Sequence, residues 1–296
     1  MIGKNFKYRG QSFSDDEFDR PNGQGIVITA CQWADVVTSD DQNNRQGTHG
    51  IEVSPTFARG RIINIQGRII ANSRQEREVY RQIIASTFAV EAFPGPNNKG
   101  VYDFEFLGDD GVDYVIPAKI LNMPSYLQQE LGNVMITDWQ AQLISENSYY
   151  QTLTQNELVH VEGFYGGISF PTTFPVAFDT YGYVANTINA GNWPSPLKTT
   201  ITANHLSGPN MRLINTVNDN YIGIQTEMQE GDVLVIDTGN SSITLNDVSV
   251  SGDRINGSIF QYAYPGNNTF IVRDDLQRLG DGLCVDVLFE WPDTFI

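Results

Sequence analysis

Three histidines, two cysteines and several runs of carboxylates are the side chains in this 296-residue chain that could hold a metal, take a proton or attack an electrophile. His49, His160 and His205 stand far apart and lack the close spacing of metal-ligand pairs, so they read as surface or locally capped residues. Cys31 and Cys284 lie near opposite ends of the chain. That pattern fits neither a disulfide framework nor an iron–sulfur site, and both read as buried or unreactive thiols. There is no Gly-x-Ser-x-Gly elbow, no His-Glu-x-x-His helix and no Walker loop. Asp15-Asp16-Glu17 with Asp19, Asp109-Asp110 with Asp113, and Asp274-Asp275 carry oxygen donors of the kind Ca²⁺ takes. None has EF-hand spacing, and each sits among turn residues, where aspartate serves the local backbone. A glycosidase carboxylate pair would be assembled from distant strands, and no local pattern marks one. The expectation is no catalytic residue, no metal site and no cofactor.

Ion pairing and stacking are the chemistry that remains. Arg59, Arg61, Arg68, Arg74, Arg77 and Arg81 bunch together in a chain with 18 Lys+Arg against 35 Asp+Glu and a net charge of −17. A planar guanidinium suits fixed ion pairs and interfaces better than an ammonium does. Two readings stay open for the cluster: a solvated helix face with strand-edge charges, or a contact with another subunit or partner. The acidic balance argues against a protein that grips nucleic acid through its phosphates. It leaves room for a surface past which nucleic acid slides. Trp193, Tyr221, Tyr262 and Tyr264 could stack a sugar ring, although aromatics at strand positions mostly build cores.

These residues must be positioned by a largely β framework. Ser73-Arg74-Gln75-Glu76 is a capping box, and Tyr80, Ile84 and Phe88 recur at helical spacing beside Val79 and Ile83. The pattern predicts one helix from about 73 to 89, ended by Phe93-Pro94-Gly95-Pro96. Strand signals surround it at 61–70, 102–106, 114–116 and 134–144, with Gly108-Asp109-Asp110-Gly111 as a hairpin turn. Residues 145–196 form a seam punctuated by Gly and Pro, and the chain is divided there into 1–162 and 163–296. Both parts are acidic to a similar degree. The second part consists of short apolar runs at sandwich spacing, ending in Leu283, Val285, Val287, Phe289 and Trp291 on one face. No apolar run is long enough to span a bilayer and the N-terminus lacks a signal-peptide pattern, so a soluble, cytosol-made protein is expected.

The order of motifs in the second part resembles a known family. Asn189-Ala190-Gly191-Asn192-Trp193-Pro194 precedes a strand; Met211 to Asn215 and Tyr221 to Ile224 follow; then come Glu230-Gly231-Asp232-Val233-Leu234-Val235-Ile236-Asp237, Leu245-Asn246, and Pro265-Gly266-Asn267-Asn268. This run resembles the C-terminal domain of the distal tail proteins of long-tailed, non-contractile bacteriophages. The first part agrees in layout, with Gly60-Arg61-Ile62 to Ile69, the capped helix, Tyr102 to Phe106 and Ser148-Tyr149-Tyr150 in the same order.

The resemblance implies a mainly β protein. Residues 1–162 would be a ring-forming β-sandwich or split-barrel-like domain with one helix, and 163–296 a galectin-like β-sandwich. It implies a homo-hexameric ring in the virion at the distal tail, synthesised in the host cytoplasm. The ring would join the tail tube protein to the tail-associated lysin or hub and to the receptor-binding protein, with DNA passing through unbound. The six arginines would then lie at the subunit interface. Longer relatives carry inserted sugar-binding modules, for which this chain has no room. A carbohydrate-binding module or adhesin acting through the second domain is the alternative.

Overall fold

The computed structural model describes residues 2–14, 25–33, 37–39, 42–44, 51–53, 57–90, 100–131, 134–159, 183–204, 210–273 and 285–296. His49, His160, His205, Cys284, the acidic run at 15–19, Asp274 and Asp275 lie outside them. The chain divides into two compact units, Met1–Leu153 and Thr154–Phe295. This division falls earlier than 162 because the strand Asn156–Val159 pairs with Val285–Trp291 in the second unit.

The first unit contains β1 (Ile2–Tyr8), β2 (Gln11–Phe13), β3 (Gly25–Trp33), β4 (Val37–Ser39), β5 (Gln42–Asn44) and β6 (Ile51–Val53). It continues with β7 (Phe57–Ala71), α1 (Arg74–Thr87), β8 (Tyr102–Gly108), β9 (Asp113–Leu131), β10 (Val134–Ser145) and β11 (Tyr150–Thr152). The main sheet runs β2-β1-β8-β9-β10-β7-β3, all antiparallel. Its two ends approach each other, with the Ile28 amide donating to the Ser14 carbonyl at 3.1 Å. That near-closure is the split-barrel character expected from the resemblance.

Period-two alternation drives β7 and β10. Ile63, Ile65, Ile69 and Leu143 are fully buried on one face, while Asn64, Gln66, Gln140 and Gln142 lie on the other. An aromatic cluster fills the interior: Phe13, Phe88 and Trp139 stand at 5.6–6.3 Å between ring centroids. Trp139 lies over Gly67, where an added Cβ would come within 2.5 Å of the indole, so the sheet has no space for a larger residue there.

The helix forms where its sequence predicts. Ser73 Oγ accepts from the Glu76 amide at 3.1 Å. Glu76 reaches back one residue further than in the usual capping box, to the Asn72 amide at 3.0 Å. Ile84 and Phe88 bury its apolar stripe. The nineteen-residue β9 was read only in its first few positions. Pro117 and Pro124 break the strand pattern in the sequence, yet an edge or a bulge tolerates proline. The register with β10 does shift between Asn122 and Ser125.

The second unit is a β-sandwich. Its strands are β12 (Asn156–Val159), β13 (Tyr183–Asn189), β14 (Ser195–Pro196), β15 (Lys198–Ala203), β16 (Met211–Asn215), β17 (Asn220–Ile224) and β18 (Val233–Asp237). They are followed by β19 (Ser242–Leu245), β20 (Val248–Ser249), β21 (Tyr262–Ala263), β22 (Gly266–Arg273), β23 (Val285–Trp291) and β24 (Thr294–Phe295). One sheet is ordered β12-β23-β15-β18-β19-β20 and the other β13-β22-β16-β17. Residues of both sheets, among them Leu213, Ile222, Phe270, Ile201, Leu234 and Phe289, share one apolar core. Phe270 and Phe289 stack at 5.5 Å. In β23, Val285, Val287, Phe289 and Trp291 are buried and Asp286 is exposed, as the alternation requires.

Candidate assembly surface

The described arginines of the cluster have different surroundings. Arg59 belongs to β7, but its side chain is outside the described residues. Arg61 is buried: its Nε donates to the Ser148 carbonyl at 2.6 Å, and its guanidinium lies over the rings of Trp33 and Tyr150 at 5.1 and 5.6 Å. Burial lowers its affinity for the proton, and Tyr150 acts in the opposite sense. This arginine closes the end of β7 against the segment before β11, which is an internal role. Arg68 Nε pairs with Asp138 Oδ1 at 2.7 Å directly across the β7–β10 register. Arg81 pairs with Glu78 at 3.0 Å and stacks on Tyr126 at 4.7 Å, fastening α1 over β9.

Arg77 differs from these. Only 8 % of it is exposed, and its Nε and Nη1 have no hydrogen-bond acceptor. The carboxylate in reach is Glu78, 3.7 Å from Nε and already bonded to Arg81. Arg74 is exposed on the first turn of the same helix. The first half of α1 therefore holds Arg74 and Arg77, Arg81 follows at its middle, and the last turn holds no basic residue.

A second feature was not read in the sequence. The outward face of β3, β7, β10 and β9 is ranked in rows of carboxamides. Gln32, Asn64, Gln142 and Asn122 stand opposite one another in register across four strands, and Gln66, Gln140 and Ser125 form the next row. Within the first row, Asn122 donates to Gln142, and Gln142 donates to Asn64 at 2.7 Å. The Arg68–Asp138 pair closes the third row without net charge. Two shallow hollows of about 440 and 480 Å³ run along this face and share Gln66, Ser125 and Gln140. The alternation that buried the isoleucines carried the signal for this face, but its cross-strand ranks depend on register, which a single sequence does not display.

The other predicted chemistry resolves into local structure. Asp110 accepts from the Val112 amide at 3.1 Å and the Tyr114 hydroxyl at 2.6 Å, bonds that hold its carboxyl below the usual carboxylate range. It shapes the β8–β9 turn. Among the described residues no group of three or more His, Cys, Asp or Glu side chains is placed to hold a metal ion. Burial pushes the Cys31 thiol up to about 12. No helix among the described residues is long and apolar enough to cross a membrane.

The second-unit motifs are turn devices too. Asp232 accepts from the Gln229 amide and the Asn246 amide group, both at 2.7 Å, and its carboxyl is held low by those bonds. Asn246 and Asp247 take positive φ of 50° and 63° in a tight hairpin. Asn268 bonds Tyr264 through both its amide and its carbonyl, at 2.8 and 2.6 Å. Of the possible sugar platforms, Trp193 and Tyr262 are 37 % and 38 % exposed. Tyr221 lies under Arg212 at 5.2 Å, and the Tyr264 hydroxyl accepts from Asn218.

Residues 190–278 match the family described as the siphovirus-type tail component, C-terminal domain. The crystal structure of the Dit protein (gp 19.1) of phage SPP1, described as a paradigm of the hub adsorption apparatus in phages infecting Gram-positive hosts, is similar over 99 % of both chains. Its TM-score is 0.68 at 6 % identity. A chain of the phage P2 baseplate in its activated conformation with Ca is similar over 93 % of this chain and 91 % of that one, with a TM-score of 0.44 at 8 % identity. No curated protein matches the sequence. The resemblance read from the motifs is thus met twice, by a sequence match in the second unit and by a common mainly β fold along the whole length.

Proposed function

We propose that this chain is a structural, non-enzymatic component of the distal tail of a long-tailed bacteriophage. Six copies form a ring between the tail tube protein and the hub or tail-associated lysin, with the receptor-binding protein mounted outward. The observation that carries this reading is the family match at 190–278 inside a chain whose fold parallels SPP1 Dit from end to end. Two physical features support it. The net charge of −17 opposes adhesion of a passing genome. The cation described on the carboxamide face, Arg68, is neutralised by Asp138. Antibody raised against the chain should decorate the distal end of the tail in intact virions; label along the tube, on the head, or in lysate only would refute the assignment.

A second reading draws on Trp193 and Tyr262. Asn189 Nδ2 donates to the carbonyls of both Trp193 and Ala263 at 2.9 Å, so the segments carrying these two half-exposed rings are tied together. Sugar recognition by an adhesin would use such rings. Micromolar binding on a glycan array, lost in Trp193→Ala, would favour it over a purely structural role.

A further inference from the structure

Among the described charged side chains of the first unit, Arg77 stands out as buried with two guanidinium nitrogens lacking an acceptor. A buried guanidinium is normally paired, since an isolated charge removed from water is costly. Here Nε and Nη1 are inaccessible and donate to nothing, and the 3.7 Å approach to Glu78 is too long for a good hydrogen bond. Glu78 is half-exposed and shared with Arg81. Glu76, the other carboxylate of the first turns, is taken up by the Asn72 amide and the Tyr80 hydroxyl.

The charge order along α1 points the same way. Cations favour the C-terminal end of a helix, where the backbone dipole is negative. In α1 Arg74 and Arg77 occupy the first half, Arg81 follows at its middle, and the last turn has no basic residue. Arg81 is offset by Glu78 and Tyr126, whereas Arg77 sits buried in the first turns with only the 3.7 Å approach of Glu78. Local rules broken without an internal return mark a surface that is completed from outside.

We infer that Arg77 is the anchor of the contact between copies and takes a carboxylate of a second copy of this chain at Nη2, the guanidinium nitrogen that is not sealed off, with Arg74 at its rim. Charge complementarity identifies the occupant: a protomer of net charge −17 presents carboxylates in excess, and an incoming one neutralises both the guanidinium and the helix end. Arg61, Arg68 and Arg81 are committed within their own protomer and do not take part. This inference rests on the ring reading and sets Arg77, with Arg74 beside it, apart from the three arginines committed within the protomer.

The test uses the full chain and three variants, Arg77→Met, Arg77→Lys and Arg61→Met, with association followed by native mass spectrometry and sedimentation across protein and salt concentration. Methionine retains the packing of the aliphatic stem while deleting the charge. Arg77→Met should weaken association roughly 30-fold or more, the size of effect found when one member of a buried charge pair is truncated. It should also flatten the salt dependence and leave the melting temperature of the dilute protomer unchanged or raised. Arg77→Lys should fall between, because it keeps the charge without the fork. Arg61→Met should lower the protomer's melting temperature instead. Unchanged association in Arg77→Met would overturn the inference and spare the ring, and so would a lowered protomer melting temperature, which would place the partner inside the chain. A wild-type chain that stays single at every concentration would overturn both. Loss in Arg77→Met of binding to a tail protein other than this chain, with self-association intact, would assign the carboxylate to that partner and overturn the second copy.

Discussion

In the first unit the outward carboxamides of β7, β9 and β10 bond to one another across strands, whereas in the second unit Asn189, Asn246 and Asn268 bond mainly to backbone. Both units use the same residue types, yet the side chains face different duties. Short strands need many turns, and each turn leaves amides and carbonyls that only a nearby side chain can satisfy. Long strands satisfy their backbone through the ladder and leave side chains for the surface. A polar group bonded to its own backbone is not available to a partner. The proposed contact between copies accordingly draws on the first unit and its under-paired Arg77, while the second unit's motif residues are engaged with their own backbone.

Core truncation sets the upper scale for testing that contrast. Trp139→Ala in the first unit and Phe289→Ala in the second should each cost about 3–5 kcal/mol, read by denaturant unfolding. Equal losses would show that both cores matter and that the contrast concerns polar groups alone. The contrast itself is tested by Asn268→Ala against Gln140→Ala. Asn268 is buried, and its removal leaves Tyr264 and Gly266 groups unbonded, so about 1–3 kcal/mol should be lost. Exposed Gln140 should change stability by less than about 0.5 kcal/mol. A large effect at Gln140 would collapse the distinction.

Acid titration probes a smaller effect. The Asp232 carboxyl is held low by Asn246 and the Gln229 amide, and Asp110 by Tyr114 and the Val112 amide. A depressed folded-state value contributes stability above the unfolded carboxylate range near pH 4, and that contribution is lost as pH falls through the folded value. Asp232→Asn should therefore be less stable than wild type at neutral pH, with the gap closing as the solution is acidified. A gap that stays constant with pH would assign the loss to geometry rather than charge. The smallest effect is at Cys31. Its thiol, raised from 9.0 to about 12 by burial, favours the neutral folded form below pH 9 and gives up that preference as pH climbs toward 12. Peptide mapping after alkylation at pH 8 should find Cys31 unmodified in the folded chain and modified in denaturant.

Much of the architecture is legible in the sequence, and the reason is physical. Ser73 with Glu76 marks a helix start through hydrogen bonds a few residues apart, and Val285, Val287, Phe289 and Trp291 mark a strand through alternation; both signals are local. The extent of β9 was hidden because Pro117 and Pro124 suit its edge and bulge but read as breaks. The arginine cluster was visible as a cluster, whereas its division into internal clasps and one under-paired side chain depends on Ser148, Asp138 and Tyr126, each distant in sequence. The carboxamide ranks were unreadable for the same reason: Asn64 meets Gln142 only once β7 and β10 are in register.

Negative-stain microscopy of the purified full chain, with its mass in solution measured on the same sample, tests the central claim most directly. The account predicts closed six-fold rings with a central opening and a mass of six copies of 33.0 kDa. A single compact particle of one copy at every concentration would contradict it.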